Sequence, residues 1–216
     1  MRNYLTITIL ILNALLTYSC ANPAANKPKA TIANAAPESG STRPAGAETL
    51  VISPANSKVE FVAAKVTRSH NGSFKEFTGA IDLVKNSVAD SRVTIDIQMS
   101  SVVTDEDDLT KHLQTPDFFD VAKYPKATFT STKIVPILSP GTSGVSYDVS
   151  GNFDLHGIKK TITFPATIEV APDSVSVNAE FAINRKDFGI VFQNKADDLI
   201  RDGVVIKLTL KAPRTK

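Results

Sequence analysis

The sequence predicts an all-β domain, about eight antiparallel strands closed into a barrel and interrupted by one short helical insertion. Three observations carry that prediction. From Thr49 onward, apolar and polar residues alternate with period two in runs separated by turn chemistry. Each run presents a single apolar face, as an antiparallel strand with one buried side requires. Only the stretch Asp105–Phe129, DEDDLTKHLQTPDFFDVAKYPKATF, leaves the alternation for helical spacing.

The N-terminus precedes this pattern and differs from it. Arg2 stands before an apolar run from Tyr4 to Leu16, too short to span a bilayer but suited to the core of a secretory signal over residues 1–19. The run ends at Leu16-Thr17-Tyr18-Ser19-Cys20, and Cys20 is the only cysteine, so no internal disulfide can form. The arrangement resembles a bacterial lipoprotein lipobox, which implies lipidation of Cys20 and a membrane anchor on the periplasmic side of the envelope. With Ala21 rather than Asp next, similarity to enterobacterial sorting implies the outer membrane. Residues 20–48 are rich in Ala, Pro, Asn, Ser, Thr and Gly, with Ile32 as their one large aliphatic. Such a composition offsets little ordering entropy and reads as a disordered tether ahead of a barrel domain at 49–216.

In chain order, Val59, Phe61 and Ala63 alternate with Lys58, Glu60 and Val62, and His70-Asn71-Gly72 reads as a turn. Phe77, Gly79, Ile81 and Leu83 share a face, with Phe74 out of phase as if at a bulge. Val93, Ile95, Ile97 and Met99 alternate without error. The insertion follows: Thr104 as helix cap, acidic residues in the first turn, Leu109 and Leu113 on one face, an Asp107–Lys111 pair, and Pro116 as the stop. Tyr124-Pro125 returns the chain to an extended path through Phe129. After a turn at Ser139-Pro140-Gly141 come Tyr147 to Leu155, a tight reversal at His156-Gly157, then Ile162 to Val170, Val175 to Ile183 and Val204 to Lys211. A sandwich needs tightly interdigitated inner faces. Here Ala63, Gly79, Gly151, Ala166 and Ala179 stand among Phe and Ile, and there is no tryptophan to fill a lumen. That mixture favours a lipocalin-like barrel around an apolar cavity, with the helical insertion as its plug or lid.

The stretches GSFKEFTGAIDL, DDLTKHLQTPDFFDVAKYPKATFTST, VSGNFDLHGIKKTITFPATI and FAINRKDFGI resemble the YceI family of bacterial periplasmic lipid-binding proteins, over about residues 50–212. The second stretch is the most specific, because His112-Leu113, Phe118-Phe119 and Tyr124-Pro125-Lys126-Ala127-Thr128-Phe129 fall at family spacing. The resemblance implies an extended barrel with a long apolar tunnel that takes a polyisoprenoid, an isoprenoid quinone or a fatty-acid derivative. The segment FQNKADDLIRDGV departs from the simplest members and bears on the shape of one barrel mouth.

Under that resemblance the tunnel lining is expected from Phe61, Phe77, Ile81, Ile95, Ile97, Phe129, Phe153, Phe164 and Phe181. A long chain is held there by burial of its methylenes, about 0.8 kcal/mol each, with no polar constellation needed. His112, on the helix, and Arg185, at a strand end, are the candidate head-group contacts. His70 and His156, at turns, are expected to be solvated. No cofactor is implied: the histidines are unpaired in sequence, and Asp105–Asp108 lack calcium-loop spacing. No nucleophile elbow, phosphate loop or zinc-protease motif points to an enzyme. A net charge of +2 with both signs scattered gives no reason to expect nucleic acid. A hydrolase is the remote reading; an envelope lipoprotein acting through its outer surface, in stress response or adhesion, is the nearer alternative. Oligomeric state is left open.

Overall fold

A computed structural model of the chain describes residues 22–37, 43–137, 145–192 and 199–214. The signal segment, Cys20 and the turn expected at Ser139-Pro140-Gly141 lie outside the described residues.

The described chain forms twelve strands: β1 Thr31–Asn34, β2 Ala47–Ile52, β3 Lys58–Ala64, β4 Ser69–Phe74, β5 Phe77–Val84, β6 Ser87–Gln98, β7 Val102–Thr104, β8 Lys126–Ile137, β9 Ser146–Leu155, β10 Ile158–Val170, β11 Ser174–Asn184 and β12 Gly203–Pro213. One helix, α1 Asp107–Leu113, lies between β7 and β8. The strands make a single antiparallel sheet in the order β2-β5-β6-β8-β9-β10-β11-β12-β3-β4-β7, curled strongly on itself like a barrel, with β1 paired to β10 off the main path. The expected all-β class, lipocalin-like antiparallel architecture and helical insertion are therefore present, with the barrel realised as a half-barrel whose strand order begins at β2 and ends at β7. The strand number is higher than expected because β1, β2, β4 and β7 are short and carry little periodic signal of their own.

Two tight hairpins set register locally. Lys85-Asn86 (φ 47° and 62°) joins β5 to β6, and His156-Gly157 (φ 54° and 74°) joins β9 to β10. Two successive left-handed residues match the twist of the flanking strands, which is why such turns are favoured between antiparallel strands. Tyr124 packs over the second hairpin, its ring 4.5 Å from that of His156 and 2.4 Å from where a Cβ on Gly157 would sit.

His70-Asn71-Gly72 is not a turn but the middle of β4. The chain reverses earlier, where the Lys65 amide donates to the Arg68 carbonyl at 2.7 Å. Gly72 is instead where the Phe61 ring lies, 2.1 Å from the position a Cβ would take. Phe74 likewise marks no bulge. It ends β4, and the path changes at Lys75-Glu76 before β5 begins. The helix starts at Asp107, later than expected. Thr104 accepts from the Glu106 amide at 3.2 Å and meets the Thr110 hydroxyl at 2.9 Å, so it braces the turn before the helix rather than capping it. Lys111 reaches Asp108 at 3.5 Å, not Asp107.

The largest departure is the N-terminal arm, residues 22–37, which is ordered structure rather than tether. β10 and β11 pair only over Thr167–Val170 and Val175–Asn178, although both strands run on beyond that ladder. The arm occupies the gap. Thr31–Asn34 pair antiparallel with Lys160–Thr163 on one side. On the other, Ala30 donates to the Ala182 carbonyl and the Ala182 amide donates to the Pro28 carbonyl, both at 2.8 Å. Ala30 and Ile32 pack against the main core, and Ala24 is buried with Val62, Ala182 and Val205 in a small cluster. Asn152 holds the end of the arm, exchanging bonds of 2.9 Å with the amide and carbonyl of Ala36. A sparse set of apolar residues suffices because the arm completes hydrogen bonds that the splayed strands would otherwise leave to water.

Lys27 adds an ion pair to Glu180 at 2.7 Å, with Lys207 on the other carboxylate oxygen at 3.4 Å. The Lys27 bond holds the Glu180 carboxyl below the usual glutamate value of 4.5, against a smaller opposing effect of burial. A depressed carboxylate pKa stabilises the folded state above the unfolded value, and that stabilisation is lost as pH falls through the folded one. The arm is therefore expected to loosen below about pH 4.5. Hydrogen exchange should show reduced protection of the Ala30 and Ala182 amides in acid, and Lys27→Ala should reproduce the loss at neutral pH. Unchanged protection in both would remove the ion pair from the account.

Candidate functional site

The inner faces of the strands enclose an apolar cavity of about 170 Å³. Its wall runs from β3 through β6, β8, β9 and β10 to β11 and β12. Val59, Val93, Val149, Ile168, Val177 and Leu210 line one end and are buried. At the other end Ala63, Phe118, Phe119, Ile200, Arg201 and Val204 also line it, and each is partly exposed. The cavity therefore opens at the end that carries α1 and the 3-10 turn Arg185–Phe188.

The helical insertion sits over this opening, contributing Leu113, Phe118 and Phe119 to the wall. Its aromatic side chains continue a contact chain from Phe61 through Phe74 (5.8 Å between rings) to Phe119 (6.1 Å). Phe164 and Phe181 stack at 4.1 Å where β10 and β11 part, so two rings close the wall where the backbone ladder ends.

Of the expected lining residues, Phe61, Ile95, Ile97, Phe129, Phe153, Phe164 and Phe181 face the cavity. Phe77 and Ile81 do not. Both are almost fully buried in the main core, in one cluster with Leu50 and Ile52. Sequence phase placed them on the inward face correctly, but they pack in the main core with Leu50 and Ile52 of the paired edge strand β2, away from the cavity. Leu155, Ile162, Ile183, Ile206 and Leu208 line the cavity as well, and their alternation in phase with the named residues was the available signal.

The small residues that suggested a cavity do not create it. Among Ala63, Gly79, Gly151, Ala166 and Ala179, only Ala63 lines the space. The Phe129 ring lies over Gly151, 2.4 Å from where its Cβ would stand, and the Thr94 carbonyl lies 2.5 Å from that of Gly79. The glycines make room for neighbouring groups, and the lumen comes from sheet curvature.

The polar candidates are placed apart. His112 is half-exposed outside the cavity. Its Nε2 lies 2.8 Å from Asp117, and its ring edge meets Phe118 and Phe192 at 5.0 and 5.5 Å. Arg185 does reach the cavity wall but is only 4% exposed. Its guanidinium donates to the carbonyls of Ile190 (2.8 Å), Ile200 (3.3 Å) and Arg201 (3.4 Å) and to Asp202 (3.1 Å). It ties the segment after the 3-10 turn to the start of β12. Against expectation, His70 is buried, with Nδ1 2.9 Å from Asp105. Burial opposes ionisation of Asp105, but the bonds from His70 and the Asn71 amide outweigh it and hold the carboxyl below the usual aspartate value. His156 is part-buried, with Nδ1 3.3 Å from the Phe188 carbonyl.

A family model for the YceI-like domain matches residues 50–212, most of the chain. The chain belongs to the YceI-like family. Among curated relatives, Protein YceI of Escherichia coli O6:H1 is 34% identical over 125 residues, 55% of this chain and 62% of that protein. A UPF0312 protein of Pseudomonas putida W619 is 32% identical over 126 residues, 56% of this chain and 63% of the relative. The match thus spans a little under two thirds of each relative's length. Among solved structures, Burkholderia cenocepacia BcnA superposes with a TM-score of 0.65 at 24% identity, covering 74% of this chain and 99% of BcnA. A polyisoprenoid-binding domain from Saccharophagus degradans gives 0.60 at 21%, covering 78% and 99%. At those identities the two structures establish the shared YceI-like fold.

Proposed function

We propose that this YceI-like protein binds, and carries within the cell envelope, a long apolar molecule of the polyisoprenoid, isoprenoid-quinone or fatty-acyl class. One observation carries the reading: a cavity walled almost wholly by aliphatic and aromatic side chains, closed at one end and open at the other. Such a wall offers burial without polar demands, which suits a hydrocarbon chain and leaves a reacting group nothing to work on. The polyisoprenoid-binding domain of S. degradans has the same fold, which supports the class of ligand. The reading also includes a lipid on Cys20, a periplasmic site and attachment to the outer membrane.

Mass spectrometry of a chloroform–methanol extract of the purified protein is the direct test. The expected result is one isoprenoid or fatty-acyl species near one per chain. A clean extract, with no uptake of added quinones or fatty acids, would shift the function to the outer surface.

A further inference from the structure

We infer that the N-terminal arm is a strap over a slit in the cavity wall, and that cargo loads and leaves sideways through that slit when the arm lifts. This rests on the lipid-binding reading above and specifies the route into the same cavity.

The slit is the seam between β10 and β11. Their backbone ladder stops at Thr167 and Asn178, while β10 reaches back to Ile158 and β11 runs on to Asn184. Asn184 leads directly into the 3-10 turn at the open end, so the seam extends that opening down the side of the molecule. Over Lys160–Thr163 and at Ala182 the arm takes the place of the missing ladder, antiparallel to β10 and parallel to β11. One intervening strand sets the two backbones about 9–10 Å apart, twice the spacing of paired strands. Ile162 and Phe164 of β10 and Phe181 and Ile183 of β11 flank the seam, and all four line the cavity. The inner side of the seam is therefore apolar, which suits the passage of a hydrocarbon chain.

The arm is built to lift. It lies ahead of residues 50–212, the extent of the YceI-like domain. Its hold is light: a four-residue pairing with β10, two backbone bonds to Ala182, the grip of Asn152 and Thr161 on Ala36, and the Lys27–Glu180 pair. Thr31, Ala33 and Asn34 are exposed, and Ala24, Ala30 and Ile32 supply its apolar anchorage. A segment with few buried apolar contacts and exposed backbone bonds opens at far lower cost than the whole fold. When it lifts, β10 stays paired to β9 and β11 to β12, so the sheet survives and water meets the backbone groups left along the seam. Moving the helical insertion instead would uncover Leu113, Phe118 and Phe119, a larger apolar surface than the arm's two alanines and Ile32 present.

The test locks the arm. Thr31 and Thr163 are direct cross-strand partners, so Thr31→Cys with Thr163→Cys, in full-length protein carrying Cys20→Ser, brings two thiols within reach of a disulfide. Uptake and release of cis-parinaric acid, a fluorescent fatty acid, and of dansyl-farnesol are followed by stopped flow in the delipidated protein, oxidised and then reduced. The disulfide is expected to slow uptake and release alike, about tenfold or more, with equilibrium affinity unchanged, and reductant should restore the rates. Lys27→Ala should speed both by up to about fivefold, the range for an exposed ion pair. Equal rates in oxidised and reduced protein overturn the strap and leave the lipid reading standing. Thiols that do not pair under oxidation remove the arm from the seam and overturn the strap as well. Failure of both probes to bind the reduced protein overturns both readings.

Discussion

Arg185→Met is expected to cost about 3–5 kcal/mol of folding stability, because three carbonyls lose a charged donor at about 1–3 kcal/mol for each acceptor left buried and unsatisfied. The methionine fills similar space but donates nothing, so the carbonyls of Ile190, Ile200 and Arg201 lose their partner and Asp202 keeps only Lys186. Folded domains have a margin of about 5–15 kcal/mol, so the loss removes a large part of it. Urea unfolding monitored by circular dichroism would measure the change, and Arg185→Lys, with fewer donors in a less suitable geometry, should recover only a fraction. A loss below about 1 kcal/mol would mean that these bonds are worth no more than bonds to water.

Ile97→Arg is expected to weaken lipid binding by about 100-fold or more while the protein stays folded, because an unpaired charge in an apolar cavity costs several kcal/mol and each 1.4 kcal/mol is a factor of ten. Ile97 is the right probe because it lines the cavity yet is only partly buried. Phe181→Asp should also abolish binding, but Phe181 is 2% exposed and stacked on Phe164, so that change strikes the fold as well. Lys75→Glu, on the exposed face between β4 and β5, should leave affinity unchanged. Equal loss in the Ile97 and Lys75 variants would argue against a lumenal site.

How much of this was legible in the sequence depends on how local each cause is. The inward phase of Val93, Ile95 and Ile97 follows from alternation alone, and the helical insertion follows from spacing and proline. The filling of Gly72 by Phe61 and of Gly151 by Phe129 is a cross-strand event, invisible until register is known. So is the packing of Phe77 and Ile81 in one core cluster with Leu50 and Ile52 of β2. His70 read as a turn residue because His-Asn-Gly is turn chemistry, yet pairing with β3 and the bond to Asp105 outweighed that local preference. The arm did leave a trace. Val62, Ala182 and Val205 are apolar residues in the outward phase of three strands, and together they marked a place where something covers the sheet. Composition averaged over residues 20–48 hid the few side chains that do the covering.

That ordered arm bears on the lipid anchor proposed at Cys20. A rope of residues 20–48 would let the domain drift on the order of 95 Å from a lipid on Cys20, at about 3.4 Å per residue. With Ala24 seated against Gly203, at the end where the cavity opens, two peptide units separate Cys20 from Asn22, the first described residue, a span of about 7 Å at most. On the proposed lipidation, the protein would then ride flush with the bilayer surface, opening toward it, and the proposed cargo would cross almost no water between acyl layer and cavity.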